Sequence, residues 1–238
     1  MLLTQLLFTQ GFGTRRECEA LIVHGQVEIG GRVVDAPRHE VAPEGLVFRV
    51  QGRDWPYREK ALLLLHKPAG YECSRRPRHH PGVLSLLPAP LRERGVQPVG
   101  RLDEDTTGVL LLTDDGALIH RLTSPKKHVP KVYEIGTRHA LTSAQVERLL
   151  GGVRLDDDPR PVRAAACEIT GERTLRLTLL EGKYHQVKRM LAAVGNRVEA
   201  LHRSAFGAVT LPPTLAPGQW VWLDGPQAID GCRGGDSA

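Results

Sequence analysis

The sequence predicts an α+β protein in which a small N-terminal unit precedes a larger domain built on a mixed sheet. Three observations support this prediction. Apolar runs and alternating segments typical of strands occur together with capped helices. Strands and helices do not alternate strictly, which disfavours a doubly wound parallel sheet. A polar stretch that contains Pro56 separates about the first fifty residues from the rest.

These features divide the 238 residues into four predicted parts. They are a small unit (1–50), a linker (51–58), a large domain (59–230) and a disordered tail (231–238).

In the small unit, Thr14 and Glu17 are spaced as a capping box that starts a helix over residues 14–23. The pair Gly30-Gly31 predicts a two-residue hairpin turn between short strands. A further strand is predicted over residues 46–50.

The large domain combines buried strands, half-buried strands and helices. Short apolar runs over 62–65 and 109–112 predict buried strands, and alternation predicts half-buried strands over 131–137 and 174–180. Thr142 and Gln145 open a helix that Gly151-Gly152 closes, and a second helix runs over about 184–194.

Composition excludes several classes of protein. No apolar run approaches the roughly 20 residues that span a bilayer, and the first residues lack the basic segment of a signal peptide. We therefore expect a cytoplasmic protein outside the membrane. The four cysteines are scattered without a C-x-x-C pair, which disfavours a zinc site and a disulfide framework.

The formal net charge of +5 is concentrated in three basic windows, residues 58–81, 120–139 and 181–203, which also hold eight of the ten histidines. If these windows converge on one surface, they form a track for nucleic-acid phosphates. Three separate solvated faces explain the charge equally well.

The densest polar segment runs from Gly100 to Gly108 and leads into a buried strand. A carboxylate at the edge of a rigid sheet is well placed for catalysis, which favours Asp103. The alternative, which spacing alone favours, is that Asp103 and Asp105 hydrogen-bond nearby backbone and shape a turn. A calcium loop is disfavoured, because Asp114 replaces the bidentate Glu and an apolar run replaces the later ligands.

The predicted helix over 184–194 has two different faces. Its apolar residues cluster on one side, whereas His185, Lys188 and Arg189 fall on the other. That second face carries no acid of its own, so its charge indicates a carboxylate or phosphate partner.

Three motifs resemble those of pseudouridine synthases. They are Gly100-Arg-Leu-Asp-Glu-Asp-Thr-Thr-Gly108, Lys131-Val-Tyr-Glu134 and Glu181-Gly-Lys-Tyr-His-Gln-Val-Lys-Arg-Met190. The resemblance is closest to the branch that modifies bacterial 16S ribosomal RNA, and it covers almost the whole chain. The N-terminal unit resembles the S4 RNA-binding module that this branch carries.

This resemblance implies roles for individual residues. Asp103 would be the catalytic aspartate, paired with Lys188, and Tyr133 would pack against the uracil. Arg101 would displace and hold the target nucleotide, and Leu201 would line the pocket. The other implied substrate contacts are His185, Gln186, Arg189 and Arg203. Arg189 is also a second candidate for the cation that pairs with Asp103. RNA contacts are expected at Arg15, Arg16, Arg75, Arg76, Lys126 and Lys127.

The resemblance implies conversion of a uridine in structured ribosomal RNA, or in a pre-ribosomal particle, to pseudouridine by a monomer. It implies no metal and no organic cofactor. The expected substrate is 16S RNA. A large-subunit (23S) RNA substrate and a non-catalytic role in ribosome assembly are the alternatives.

Overall fold

The computed structural model describes residues 1–74, 76–155, 158 and 160–230. The chain divides into two compact units. The first consists of residues 1–61 and 87–97, and the second of residues 62–86 and the chain that follows residue 97. The predicted tail at 231–238 lies outside the described residues. None of the described helices is long and apolar enough to cross a membrane.

The first unit combines helices with an antiparallel sheet. Its elements are α1 (Leu3–Thr9), α2 (Arg15–Val23), β1 (Val27–Ile29), β2 (Arg32–Val33), β3 (Val47–Val50), β4 (Arg53–Pro56) and α3 (Ala89–Glu93). The strand order is β2-β1-β3-β4. The predicted capping box is confirmed, because Thr14 and Glu17 each accept a hydrogen bond from the other's backbone N–H.

The prediction that residues 51–58 form a linker is wrong. Gln51 and Gly52 both have positive φ and turn the chain back, so that β4 pairs with β3 and Trp55 lies opposite Phe48. Pro56 favoured a linker in the sequence because proline is rare within strands. However, β4 is an edge strand, where a proline without an N–H is tolerated. Phe12 packs edge-on against both Phe48 and Trp55, which joins the hairpin to the core of this unit.

The second unit is built on one mixed sheet. Its strands are β5 (Leu62–Lys67), β6 (Gln97–Pro98, at the unit boundary), β7 (Thr107–Thr113), β8 (Lys131–Thr137), β9 (Ala166–Gly171), β10 (Thr174–Leu179), β11 (Val198–Phe206), β12 (Val209–Thr210) and β13 (Trp220–Trp222). The main order is β13-β5-β7-β11-β8-β10-β9. Strands β7 and β11 are parallel, whereas the other neighbours in this order are antiparallel. The predicted α+β class with a mixed sheet is confirmed.

The helices of this unit are α4 (Gly116–Thr123), α5 (Ser143–Gly151), α6 (Gln186–Ala193) and α7 (Gln227–Asp230), with 3₁₀ turns at Val83–Leu86 and Pro125–Lys127. One core cluster joins Leu64 of β5, Leu111 of β7 and Phe206 of β11 to Leu118 and Leu122 of α4. Because both faces of β5 and β7 are buried, these strands are apolar almost throughout. This buried pair supports the loop that carries Asp103.

Candidate active site

The loop that carries Asp103, here called the Asp103 loop (residues 100–106), is held from below by a buried lysine. Lys67, at the end of β5, is fully buried, and its ammonium donates hydrogen bonds to the backbone oxygens of Pro68 (3.0 Å), Glu104 (3.1 Å) and Thr106 (2.7 Å). Burial lowers the pKa of Lys67. Bonds to carbonyl oxygens satisfy the donors of this buried cation and fix the backbone on both sides of residue 105.

The strand after the loop is held by an unusually close backbone approach. Gly108 has φ +108°, and a Cβ at this position would lie 2.2 Å from the backbone oxygen of Arg203. A residue with a side chain would therefore push β7 away from its parallel neighbour β11. Glycine here lets the two strands meet where the Asp103 loop ends.

Asp103 is partly buried, with 20% of its side chain exposed, and two side chains from one segment contact its carboxylate. The ammonium of Lys188 lies 3.2 Å from Oδ2, and Nε2 of His185 lies 3.3 Å from Oδ1. The predicted ion pair between Lys188 and Asp103 is therefore present. Each carboxylate oxygen faces one nitrogen, which orients the group.

Lys188 has a second acidic partner that the sequence interpretation treated as a turn residue. Its ammonium lies 2.7 Å and 2.8 Å from the two carboxylate oxygens of Asp105. Burial lowers the pKa of Lys188, but the hydrogen bond that it donates to Asp105 and the charge of Asp103 outweigh that effect, so the pKa is raised overall. Lys188 therefore stays protonated at neutral pH between the two carboxylates.

The start of α6 brings these nitrogens to Asp103. Val187, Met190 and Leu191 are buried, which places Lys188 on the opposite side of the helix, as its apolar periodicity predicts. His185, just before the helix, has φ +47°, a left-handed conformation that is uncommon for a residue with a side chain. Its ring stacks on that of Tyr184 at 3.8 Å between centroids.

Gln186, which the resemblance implied as a substrate contact, is buried within its own segment. It is 4% exposed, and its side-chain oxygen accepts a hydrogen bond from the backbone N–H of Lys183 (2.8 Å). Its amide nitrogen lies 3.3 Å from a carboxylate oxygen of Glu181. Because its polar groups are buried and used within this segment, Gln186 shapes the turn that presents His185.

The resemblance also singled out three residues on the neighbouring strands β8 and β11. Tyr133 lies opposite Arg203, and Leu201 lies opposite Ile135 in the β8–β11 ladder. Tyr133 and Leu201 are 8% and 9% exposed. Arg203 donates from Nε to the Val109 oxygen (2.8 Å), and its buried Nη2 has no hydrogen-bond partner among the described residues. The contacts of these three residues with a nucleotide stay predictions.

A cleft of about 710 Å³ opens beside the Asp103 loop. One wall is the Asp103 loop with Arg101, and another is residues 182–185. The third wall is formed by residues 72–74, 76 and 78–80, which include Arg76. Two of the three basic windows therefore meet beside Asp103. Lys126 and Lys127 belong to the remaining window, residues 120–139. They are exposed on a 3₁₀ turn and are not among the residues that line this cleft.

The remaining predicted contacts lie elsewhere or outside the described residues. Arg15 and Arg16 are exposed on α2 of the first unit, where Arg15 lies over the ring of Phe8. Arg189 donates a hydrogen bond to the Tyr184 backbone oxygen (3.1 Å). Arg75 lies outside the described residues. Within the described ranges, no group of three or more His, Cys, Asp or Glu side chains is placed to hold a metal ion.

The sequence interpretation missed two residues that shape the cleft, Lys67 and Glu72. Lys67 was counted only as part of a basic window, although a lysine at the end of an apolar strand and before Pro68 is a signal of burial. Glu72 lies in the same basic window, and its local sequence gives no comparable signal, because its partners are backbone N–H groups six to eight residues further on.

Comparison with known proteins assigns both units to families. Residues 61–193 match the model of the RNA pseudouridylate synthase family, and residues 1–47 match the S4 domain. The chain belongs to the RNA pseudouridylate synthase family. It is an isomerase that converts uridine in RNA to pseudouridine, and its N-terminal unit is an S4 domain.

Relatives of this synthase align over nearly their full length. It is 39% identical to an uncharacterized RNA pseudouridine synthase of Bacillus subtilis over 92% of this chain and 93% of that relative. It is 37% identical to ribosomal small subunit pseudouridine synthase A of Escherichia coli over 89% of this chain and 91% of that relative. A crystal structure of a pseudouridylate synthase matches with a TM-score of 0.66 at 32% identity, covering 94% of this chain and 96% of that one.

Proposed function

We propose that this synthase modifies one uridine of small-subunit ribosomal RNA and that Asp103 is its catalytic carboxylate. The observation that carries the proposal is the position of Asp103 beside the cleft, with its two oxygens facing Lys188 and His185. The similarity to a ribosomal small subunit synthase supports the choice of RNA. We further propose that a monomer acts in the cytoplasm on structured ribosomal RNA or a pre-ribosomal particle.

The reaction suits one carboxylate that is paired with a cation. The N1–C1′ bond of uridine breaks, the uracil turns without leaving, and C5 bonds to C1′ while the C5 proton is lost and N1 gains one. A carboxylate serves either by attacking C1′ or by removing the C2′ proton. Glycosidases instead commonly use two carboxylates because they also activate water, which this isomerisation does not consume.

The surrounding residues fit the other steps of this proposal. Lys188 pairs its charge with one carboxylate oxygen of Asp103, and His185 holds the second oxygen. Arg101 is exposed at the cleft, where it can take the place of a base that leaves its stack. Tyr133 and Leu201 supply an aromatic and an apolar wall for the uracil.

The test compares pseudouridine maps of ribosomal RNA from cells with the gene, without it, and with the gene encoding Asp103→Asn. We expect one pseudouridine of 16S RNA to disappear in the second and third strains. The amide is nearly isosteric with the carboxylate, so the variant folds and binds RNA while activity falls at least about 1,000-fold. Purified enzyme and a hairpin that carries this site provide the rate.

Asp35→Asn is the matched control, because it makes the same chemical change at an exposed carboxylate of the S4 domain. It should restore the missing pseudouridine. Loss of a site in 23S RNA instead would overturn the substrate assignment. Asp103→Asn activity within tenfold of the unmodified enzyme would overturn the role of Asp103.

A further inference from the structure

The cleft wall opposite the Asp103 loop is a short basic segment. One carboxylate accepts several hydrogen bonds from its backbone. This basic loop comprises residues 76–81. The carboxylate of Glu72 accepts hydrogen bonds from the backbone N–H groups of Arg78 (3.1 Å), His79 (2.9 Å) and His80 (3.0 Å). The backbone N–H of Glu72 also donates to the oxygen of Pro81 (2.9 Å). The conformation of the loop is therefore formed before any ligand binds.

These bonds leave the positive side chains of the loop available. Glu72 uses its carboxylate on backbone donors, so its charge is not paired with a guanidinium group. Arg76 and Arg78 are exposed, line the cleft and have no carboxylate partner among the described residues. Lys183, across the cleft, differs because it pairs with Asp158 and lies near Glu181. Two unpaired guanidinium groups on a preformed loop suit a phosphodiester.

A large aromatic ring is exposed at the same cleft. Tyr184 is 67% exposed, although it is fixed on one side by stacking on His185 with an angle of 21° between the rings. Its backbone oxygen is held by Arg189. A ring that is stacked on one side and exposed on the other is a platform for a nucleic-acid base.

We propose that Tyr184 and the basic loop form a subsite for the nucleotide next to the target uridine in the RNA strand. Its base stacks on Tyr184, and Arg76 and Arg78 bind its phosphodiester. Glu72 is a positioning residue that holds the loop in place. This inference rests on the proposed function, because a neighbouring nucleotide reaches the cleft only when a uridine lies at Asp103.

The first experiment uses the RNA hairpin that carries the modified site, together with two versions that lack the base on the 5′ or the 3′ side of the target uridine. With the unmodified enzyme, removal of one of these bases should lower kcat/KM about tenfold, which is the size of one base–aromatic stack. Tyr184→Ala should lose about tenfold on the intact hairpin and nothing further on that abasic hairpin. Tyr184→Phe keeps the stack and should retain the activity.

Two results would overturn the base platform. One is that Tyr184→Ala matches the unmodified enzyme on the intact hairpin. The other is that the loss of kcat/KM in Tyr184→Ala adds in full to the loss caused by either abasic hairpin. Full additivity would mean that the ring and the bases act independently. The proposed function fails separately, if the unmodified enzyme converts no uridine in ribosomal RNA.

The second experiment measures hairpin affinity against ionic strength for the Arg76→Ala, Arg78→Ala double variant. Removal of each arginine that binds a phosphate should reduce the salt slope by about 0.7 for single-stranded RNA. Arg173→Ala is the matched control, because Arg173 is exposed in the turn between β9 and β10 and does not line the cleft. Glu72→Gln should weaken the affinity for the hairpin. In activity measurements it should raise KM and leave kcat unchanged. A double variant with the slope of the control would overturn the phosphate contact.

Discussion

The two loops that face each other across the cleft are each held by one charged side chain. The two side chains differ in the sign of their charge and in how deeply they are buried. The Asp103 loop is fixed by Lys67, a fully buried cation whose three hydrogen bonds go to backbone oxygens. The basic loop is fixed by Glu72, a partly exposed anion whose three hydrogen bonds come from backbone N–H groups. The cation therefore binds backbone acceptors, and the anion binds backbone donors.

The difference in depth separates two tasks. A buried cation is costly to leave without partners, so the Asp103 loop is coupled to the stability of the whole unit. An exposed carboxylate keeps its alternative bonds to water, so the basic loop can loosen without unfolding the sheet. The proposed catalytic carboxylate therefore lies on the strongly coupled loop, and the proposed RNA contact lies on the weakly coupled one.

Lys67→Met gives the largest expected effect on this comparison. The variant keeps the shape of the side chain but takes the ammonium donor away from the buried Thr106 oxygen and leaves the Glu104 oxygen with only the Gly70 N–H. We expect a loss of about 2 kcal/mol in the free energy of unfolding, since relief of a buried charge offsets part of the cost. A shifted Asp103 should lower kcat about 100-fold. Urea unfolding and single-turnover rates measure the two effects.

Lys60→Met is the control for this substitution, because Lys60 is exposed. It should change neither the unfolding midpoint nor the rate. If Lys67→Met unfolds like the control, the buried lysine does not support the loop, and the proposed coupling to stability is wrong.

Lys188→Met tests the electrostatic support of the Asp103 loop from its open side. Removal of the cation leaves Asp103 and Asp105 close together without neutralisation, and we expect kcat to fall about 100-fold. Asp105→Asn leaves the Asp103–Lys188 pair in place and should cost about tenfold. Single-turnover rates on the same hairpin compare the two. Equal losses would mean that Asp105 contributes as much as the cation and that Lys188 does not act mainly through Asp103.

Glu72→Gln gives the smallest expected effect and concerns the other loop. The amide offers one oxygen and no charge, so amide-exchange protection of residues 78–80 should fall about tenfold. The unfolding midpoint should stay unchanged. Glu59→Gln, at an exposed carboxylate, should leave this protection intact. A large drop in the unfolding midpoint for Glu72→Gln would remove the distinction between the two loops.

Acid should reproduce the effect of Glu72→Gln in the unmodified enzyme. Hydrogen bonds from the N–H groups of His79, His80 and Arg78 hold the pKa of Glu72 below its ordinary value of 4.5. A carboxylate with a lowered pKa stabilises the loop fully above pH 4.5, and this contribution is lost as the pH falls through the folded-state pKa. Protection of residues 78–80 should therefore fall below pH 4.5 in the unmodified enzyme and show no such step in Glu72→Gln.

Local patterns predicted many elements because their causes are local. The capping boxes at Thr14 and Thr142 start α2 and α5, and the apolar runs became β5 and β7. The strand β11 was missed, because it pairs on both sides and carries His202, Arg203 and Ser204 in its middle. Its partners, and not its composition, make it a strand.

The sequence alone determined that this chain is an α+β member of a known family, with a helix that presents Lys188 away from its apolar face. These properties follow from periodicity and from motifs within a few residues of one another. The pairing of Lys188 with Asp103, separated by 85 positions, was implied by resemblance, and the structure gives its distance.

The tertiary structure alone decided how the cleft is supported. It paired Lys188 with Asp105 as well as Asp103, buried Lys67 under the Asp103 loop and turned Glu72 toward three backbone N–H groups. Each of these contacts depends on the register of β5 against β7 or on the path of a loop. A charged side chain looks the same in a sequence whether water, a carbonyl or another charge satisfies it, and folding selects which one does.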